Sequence, residues 1–246
     1  MREGDSEPPP SQSSVALAVE ARRLLRRARK AALATIDHSS RYPYASLAAV
    51  ATEPDGAPVL LLSRLAAHTR NLDDDSRASL LIEGPGAHGD PLSGGRVSLV
   101  GRVRPTGSQT AERRFLAVHP SAAGYARFAD FSFYVLDLEW AQYVGGFGRI
   151  STLSRSDVLL DVGGAEELVA AEPELVELIN REHADGLARL GAKLSGGRSG
   201  RWRLTGIDPG GCDLALADER HRCDFVEHLS SFDGARRAME LLLAQS

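Results

Sequence analysis

Near residue 32 the apolar pattern of this chain changes period, and that change limits the folds open to it. Residues 15–32 read as a helix, with Leu17, Ala21, Leu24, Leu25 and Ala28 on one stripe at three-and-four spacing. Beyond that point come short apolar runs separated by turn chemistry, at 32–36, 46–52, 58–63, 78–82, 96–104, 131–138 and 141–144. Pro54-Asp55-Gly56 marks a hairpin turn. In 96–104, Val97, Leu99, Gly101 and Val103 face one way, and Arg96, Ser98, Arg102 and Arg104 face mostly the other. Residues 110–118 read as a helix stopped before Pro120. Short strands with tight turns and few long helices predict an antiparallel barrel.

The grammar changes again after Gly163-Gly164, which reads as a linker. A long helix over 173–194 follows, with Leu175, Ile179, His183, Leu187, Leu190 and Leu194 on one stripe. Ser195-Gly196-Gly197 ends it. Strands are expected at 201–207, 212–217 and 221–225, then a helix over 232–244 capped by Ser231. The expected organisation is a disordered tail (1–14), a mainly β barrel domain (15–160) and a small α-β-β-β-α domain (165–246). A total of 246 residues suits two modest domains.

Composition excludes several classes. Net charge is -4, which is unlike a chain built around nucleic-acid phosphates. That charge is uneven: residues 1–160 carry 19 basic and 17 acidic side chains, and residues 161–246 carry 10 and 16. The barrel is therefore the half suited to an anionic ligand. The N-terminal segment is acidic and holds three prolines in a row, the reverse of a secretory signal. No apolar run approaches the ~20 residues that span a bilayer. A cytoplasmic protein without a membrane partner is expected. Two cysteines, Cys212 and Cys223, fall on neighbouring predicted strands and read as small apolar groups in a reducing compartment. No His-x-x-x-His or Cys-x-x-Cys spacing suggests a dedicated metal site. The basic helix at 15–32 lacks an aromatic anchor, which favours packing on its own domain over a membrane surface.

The densest candidate site is the segment 60–72. An apolar strand empties into Ser63 and Arg64, and a helical turn then delivers His68, Thr69, Arg70 and Asn71. Two guanidinium groups, two hydroxyls and a helix start are what a phosphate site needs, although such clusters also occur as plain polar loops. Gly145-Gly-Phe-Gly148 lacks the strand and helix context of a dinucleotide loop and reads as a tight turn presenting Phe147. Asp73-Asp74-Asp75 reads as a solvated loop. His38 and His88 fall in loops, His119 ends a helix, and His221 and His228 read as surface residues. His183, on an apolar stripe, reads first as a buried, hydrogen-bonded residue and second as a haem-ligand candidate.

Taken in order, several strings resemble the pyridoxamine 5'-phosphate oxidase-like split barrels. They are 60–72, 73–81, 96–103, 114–120, 131–134 and 145–148, which together span about residues 20–160. The branch most similar contains the haem-utilisation proteins of the HugZ type. The strings 180–187, 207–214 and 222–225 resemble the small domain often fused to these barrels. The resemblance implies a six-stranded split barrel that dimerises and holds FMN at the dimer interface. It carries the phosphate-binding pair to Thr69 and Arg70. Ser63 and Arg64 fall at strand-end positions near flavin or phosphate, Asn71 at the turn, and Arg96 and Arg102 on a strand that completes the pocket.

Two departures follow from the same resemblance. The oxidase proper carries Arg-Lys where this chain has Thr69-Arg70, and its basic C-terminal tail has no counterpart here. The haem-degrading relatives place an axial histidine in a C-terminal tail, and the last residues here contain none. The expected function is a homodimeric FMN-binding flavoprotein, an oxidoreductase acting on a small molecule, with no residue identifying itself as catalytic. The alternatives are a haem-binding or haem-degrading protein on the same barrel, and a non-catalytic binding module.

Overall fold

Alternation of apolar and polar residues along the short runs makes each run two-faced, and closing the sheet on itself buries one face of all of them. The computed structural model describes residues 12–85, 90, 92–146 and 149–246. Residues 1–11 of the expected tail, His88 and Phe147 lie outside them. Helix α1 (Gln12–Arg27) begins inside the stretch expected to be tail. Six strands then form the barrel: β1 (Lys30–Ile36), β2 (Pro43–Thr52), β3 (Pro58–Ser63), β4 (Arg77–Glu83), β5 (Arg96–Pro105) and β6 (Phe131–Val144). Their order is β3-β2-β1-β4-β5-β6, and pairing of β3 with β6 closes it. Strand β7 (Ile150–Ser154) extends the sheet along the C-terminal half of β6.

The expected strands at 131–138 and 141–144 are one strand. Their apparent break is a bulge, where Val100 pairs with Trp140 but Gly101 pairs with Leu138, leaving Glu139 as the extra residue. Gly101 is required there, because a Cβ would stand 2.1 Å from the Asp137 carbonyl oxygen. Inside, Leu33, Leu60, Leu80, Leu99, Leu136 and Leu138 form the core. Helix α1 adds Leu17, Ala18, Ala21 and Leu25 to it, so the predicted stripe is the buried one. Helix α2 (Ala67–Asp74) packs on β1 and β2. Helix α3 (Gln109–Val118) lays Ala111, Phe115 and Val118 over Ala51, Val59 and Leu61.

After the short helix α4 (Arg155–Val158), Gly164 turns the chain with a φ of 78°. The single helix expected over 173–194 is instead two helices, α5 (Glu166–Glu182) and α6 (Ala184–Leu194), meeting at His183. Asn180 helps fix the end of α5. Its amide donates to Leu204 O and its oxygen accepts from Leu204 N. Strands β8 (Arg203–Asp208), β9 (Gly211–Leu216) and β10 (Glu219–Asp224) form an antiparallel sheet, and α7 (Phe232–Ala244) closes a second core. The tail of the chain is thus α-α-β-β-β-α. Its core holds Trp202, whose ring lies so close to α6 that a Cβ on Gly191 would meet it at 2.1 Å.

A buried ionic seam joins this second sheet to the barrel side. Arg114 on α3 pairs with Glu172 at 2.5 Å and with Asp213 at 3.2 Å. Arg26 on α1 and Arg222 on β10 both pair with Asp208, at 3.2 and 2.7 Å. Arg113 also contacts Glu172. Arg26 and Arg114 also donate to the backbone, at Pro54 O and Thr52 O. Burial of this kind is tolerated only when each charge is both paired and hydrogen-bonded.

Candidate functional site

Strand β3 carries an almost wholly buried apolar run, Val59 to Leu62, and ends at Ser63. There the chain must turn, and α2 starts four residues later. The turn is held by its own polar groups. Ser63 Oγ donates to Asp130 at 2.7 Å and accepts from Leu65 N at 3.1 Å. Thr69, fully buried, donates to Ser63 O at 2.7 Å. Asn71, also buried, donates to Thr35 Oγ1 at 3.0 Å and accepts from His38 N at 3.1 Å. The side chains of these three predicted site residues are thereby engaged in fixing the turn.

Arg64 and Arg70 are exposed, and each donates to a backbone carbonyl, of Ala129 and of Leu65. Each guanidinium retains further donors. Helix α2 opens on Ala66, whose side chain caps nothing, so its first turn keeps the positive end of its dipole available to an anion. The structure therefore gathers Ser63, Arg64, Thr69, Arg70 and Asn71. Arg102 lies near the far end of α2, 3.4 Å from Ser76 Oγ, and pairs with Glu139 at 3.3 Å. Arg96 stands six residues back along β5, roughly 20 Å away at strand rise, where it donates to Leu92 O. It does not join the turn.

The residue that sequence reasoning left off its list of site residues is His68. It is half-buried in the first turn of α2, with Nδ1 3.1 Å from Ser46 Oγ on β2. Burial lowers its pKa from the ordinary histidine value, which favours the neutral ring. Ser46 has one proton, and its Oγ lies 3.5 Å from Leu33 O as a donor. In the Nδ1–H tautomer Ser46 accepts from the ring, and Nε2 carries a free lone pair. The signal in the sequence was the adjacency of His68 to Thr69 and Arg70. Its partner Ser46 is 22 residues away and invisible to spacing. At the turn itself, Leu65 is 76% exposed.

The other histidines are elsewhere. His183 sits half-buried at the α5–α6 break, capping both helices with its backbone. His221 is buried, not at the surface. It packs against Trp202 and bonds Glu219 at 2.6 Å. His119 contacts Val50 O at 2.9 Å, and burial lowers its pKa. Among the described residues no group of three or more His, Cys, Asp or Glu side chains is arranged to hold a metal ion. No helix among them is long and apolar enough to cross a membrane.

Comparison with known proteins bears on this geometry. The family model described as CREG, beta-barrel matches residues 12–158. A solved structure from Agrobacterium tumefaciens, Atu2129, of unknown function, is 34% identical with a TM-score of 0.81, covering 99% of this chain and 100% of its own. A heme binding protein from Mycobacterium smegmatis is 30% identical with a TM-score of 0.54, covering 97% and 98%. The non-canonical heme oxygenase HOZ, chloroplastic, of Arabidopsis thaliana is 33% identical over 108 residues, 43% of this chain. That match spans 32% of the plant protein's length. With six strands closed as described and the family model covering more than half the chain, this protein belongs to the CREG β-barrel family of pyridoxamine 5'-phosphate oxidase-like split barrels.

Proposed function

We propose that the barrel is a haem-binding module working as a homodimer. One observation carries the reading: His68, its Nδ1 3.1 Å from Ser46 Oγ, shares the strand-to-helix turn with exposed Arg64, Leu65 and Arg70. An amphipathic porphyrin needs that combination. In its Nδ1–H tautomer the imidazole offers Nε2 to iron. Two guanidinium groups and an uncapped helix start suit propionates. Leu65 offers apolar surface. When bound, haem would supply an iron that changes oxidation state and accepts a further ligand. The chain's own residues would bind it, orient it and hold the ring proton on Nδ1. Two of the similar proteins are named for haem, one of them alike over nearly the whole chain.

The homodimer reading rests on the outer barrel face. Ala32, Leu47, Leu81, Val100 and Trp140 point outward from five adjacent strands, with Leu81 and Trp140 each 42% exposed. Contiguous apolar area of this kind marks an interface.

FMN is the second reading. It is favoured by the same uncapped start of α2 with Arg64 and Arg70, which would suit a phosphate. A flavin would make the protein an oxidoreductase. The engagement of Ser63 and Thr69 in the turn weighs against it.

Titration with haemin, followed at the Soret band, tests the reading. Saturable uptake with a shifted band is expected. A different band position in His68→Ala and about tenfold weaker binding in Arg70→Ala are expected as well. A spectrum indistinguishable from free haemin would sink it, and a flavin spectrum as purified would favour FMN.

A further inference from the structure

Cys212 and Cys223 are the only cysteines in the chain, and the C-terminal hairpin sets them directly opposite one another on β9 and β10. Leu216 and Glu219 close that hairpin around Ala217, whose φ is 53°, and Asp218. Counting alternate pairs from the closing pair puts 214/221 and then 212/223 in the hydrogen-bonded class. Facing Cα atoms there are about 5.5 Å apart, within the span a disulfide bridges. Directly paired residues send their side chains to the same face of the hairpin. Their surroundings differ. Cys212 is buried in the core with Trp202, Leu214 and Met239, whereas Cys223 is partly exposed. Cys223 lies where Arg23 of α1 meets Asp224 at 2.8 Å.

We propose that Cys212 and Cys223 form a reversible dithiol–disulfide site that reacts with hydroperoxides, Cys223 attacking and Cys212 resolving. The Cys223 thiolate attacks the peroxide's distal oxygen. The O–O bond breaks, alkoxide or hydroxide leaves and takes up the thiol proton, and Cys223 becomes a sulfenic acid. The Cys212 sulfur then attacks the Cys223 sulfur, forming S–S and expelling hydroxide, which takes the Cys212 proton as water. In sum, two thiols and one hydroperoxide give one disulfide, one alcohol (water, if the oxidant is hydrogen peroxide) and one water. The hydroperoxide is reduced by two electrons.

The division of labour follows from the environment. The facing Cys212 thiol lowers the Cys223 thiol to about 7 against the opposing effect of burial. Arg222 on its own strand and Arg23 on α1 favour its thiolate, and Asp224 opposes it. The facing Cys223 thiol, burial and Asp213 push Cys212 up. A low-pKa, accessible thiol beside a buried partner is the arrangement of an attacking and a resolving cysteine. Facing Cβ atoms in a ladder sit ~4.5–5.5 Å apart, and a disulfide wants ~3.5–4.5 Å. Closing the bond therefore draws the strands together, and a bond held under that tension is readily reduced.

The test uses the full chain. Brief exposure to one equivalent of hydrogen peroxide is followed by iodoacetamide and intact mass measurement. The expected wild-type product has lost two hydrogens, takes no alkyl group, and returns to two alkylatable thiols with dithiothreitol. Cys212→Ala is expected to stop at a sulfenic acid on Cys223 that dimedone traps. Cys223→Ser is expected to leave Cys212 unreacted. A wild-type protein keeping two alkylatable thiols under this exposure overturns the proposal, and this result needs no variant to fold. Equal reaction rates in Cys223→Ser and wild type overturn it as well.

Discussion

Arg114 Nη2 stands 3.2 Å from Asp213 Oδ2, joining residues 99 apart in sequence where neither side chain reaches solvent. The same guanidinium holds Glu172 and the Thr52 carbonyl. One side chain of α3 thus ties together β2, α5 and β9. Removing it leaves two buried carboxylates with reduced compensation. Arg114→Met is expected to destabilise the protein by about 3–5 kcal/mol, read from the urea midpoint. A loss below about 1 kcal/mol would mean that water or Arg222 takes over the role.

Acid should act on the same seam. Asp208 is fully buried, and burial alone would raise its pKa. Arg26, Arg222 and Arg114 overcome that and hold it down to about 2. A carboxylate whose folded pKa lies below its unfolded value near 4 stabilises the fold above that value. The stabilisation is lost as pH falls from about 4 through about 2. Urea midpoints measured from pH 6 downward are expected to fall across that window, by about 2 kcal/mol from this group. Asp208→Asn, less stable at pH 6, is expected to show a flatter decline.

Thr69 and Arg70 are adjacent but should behave differently. Thr69 is a buried post whose hydroxyl holds Ser63 O, so Thr69→Val is expected to cost about 1–2 kcal/mol in thermal or urea unfolding. Arg70 is exposed with donors to spare, so Arg70→Ala is expected to leave stability within about 0.5 kcal/mol and to weaken anion binding. Isothermal titration with haemin separates the two. Equal stability losses would contradict this assignment.

The outer face should govern association. Leu81 is 42% exposed on a barrel wall that also offers Ala32, Leu47, Val100 and Trp140. Leu81→Glu is expected to shift sedimentation from dimer to monomer with the far-UV spectrum unchanged. A wild-type protein that sediments as a monomer at micromolar concentration would remove this interface.

Packing around Trp202 sets a steric limit on α6. A methyl group on Gly191 would stand 2.1 Å from the indole ring. Gly191→Ala, ordinarily favourable in a helix, is expected here to destabilise by about 1–3 kcal/mol or more, because the core has no room to give. Thermal unfolding reads the sign directly.

Much of the fold was legible because it is written in local patterns. The run at 58–63 and the helix at 232–244 have the predicted boundaries, since turn residues and a serine cap delimit them. The barrel itself followed from alternation, which only burial of one face rewards. Strand β7 escaped notice because Ile-Ser-Thr-Leu-Ser carries little apolar signal and forms by pairing with β6. The break at His183 is a tertiary decision, shared with the bonds between Asn180 and Leu204, whereas the apolar stripe runs on unbroken. The burial of His221 depends on Trp202, 19 residues away, and no local spacing encodes it.

The site divides the same way. The sequence by itself determined that hydroxyls, guanidinium groups and a histidine would gather where β3 ends, because a strand and a helix start are local features. Only the tertiary structure decided their roles. It engaged Ser63, Thr69 and Asn71 in the turn, moved Arg96 to the other end of β5, and brought Ser46 to His68. The physical reason is that buried polar groups must find partners, and those partners come from strands that meet only when the barrel closes.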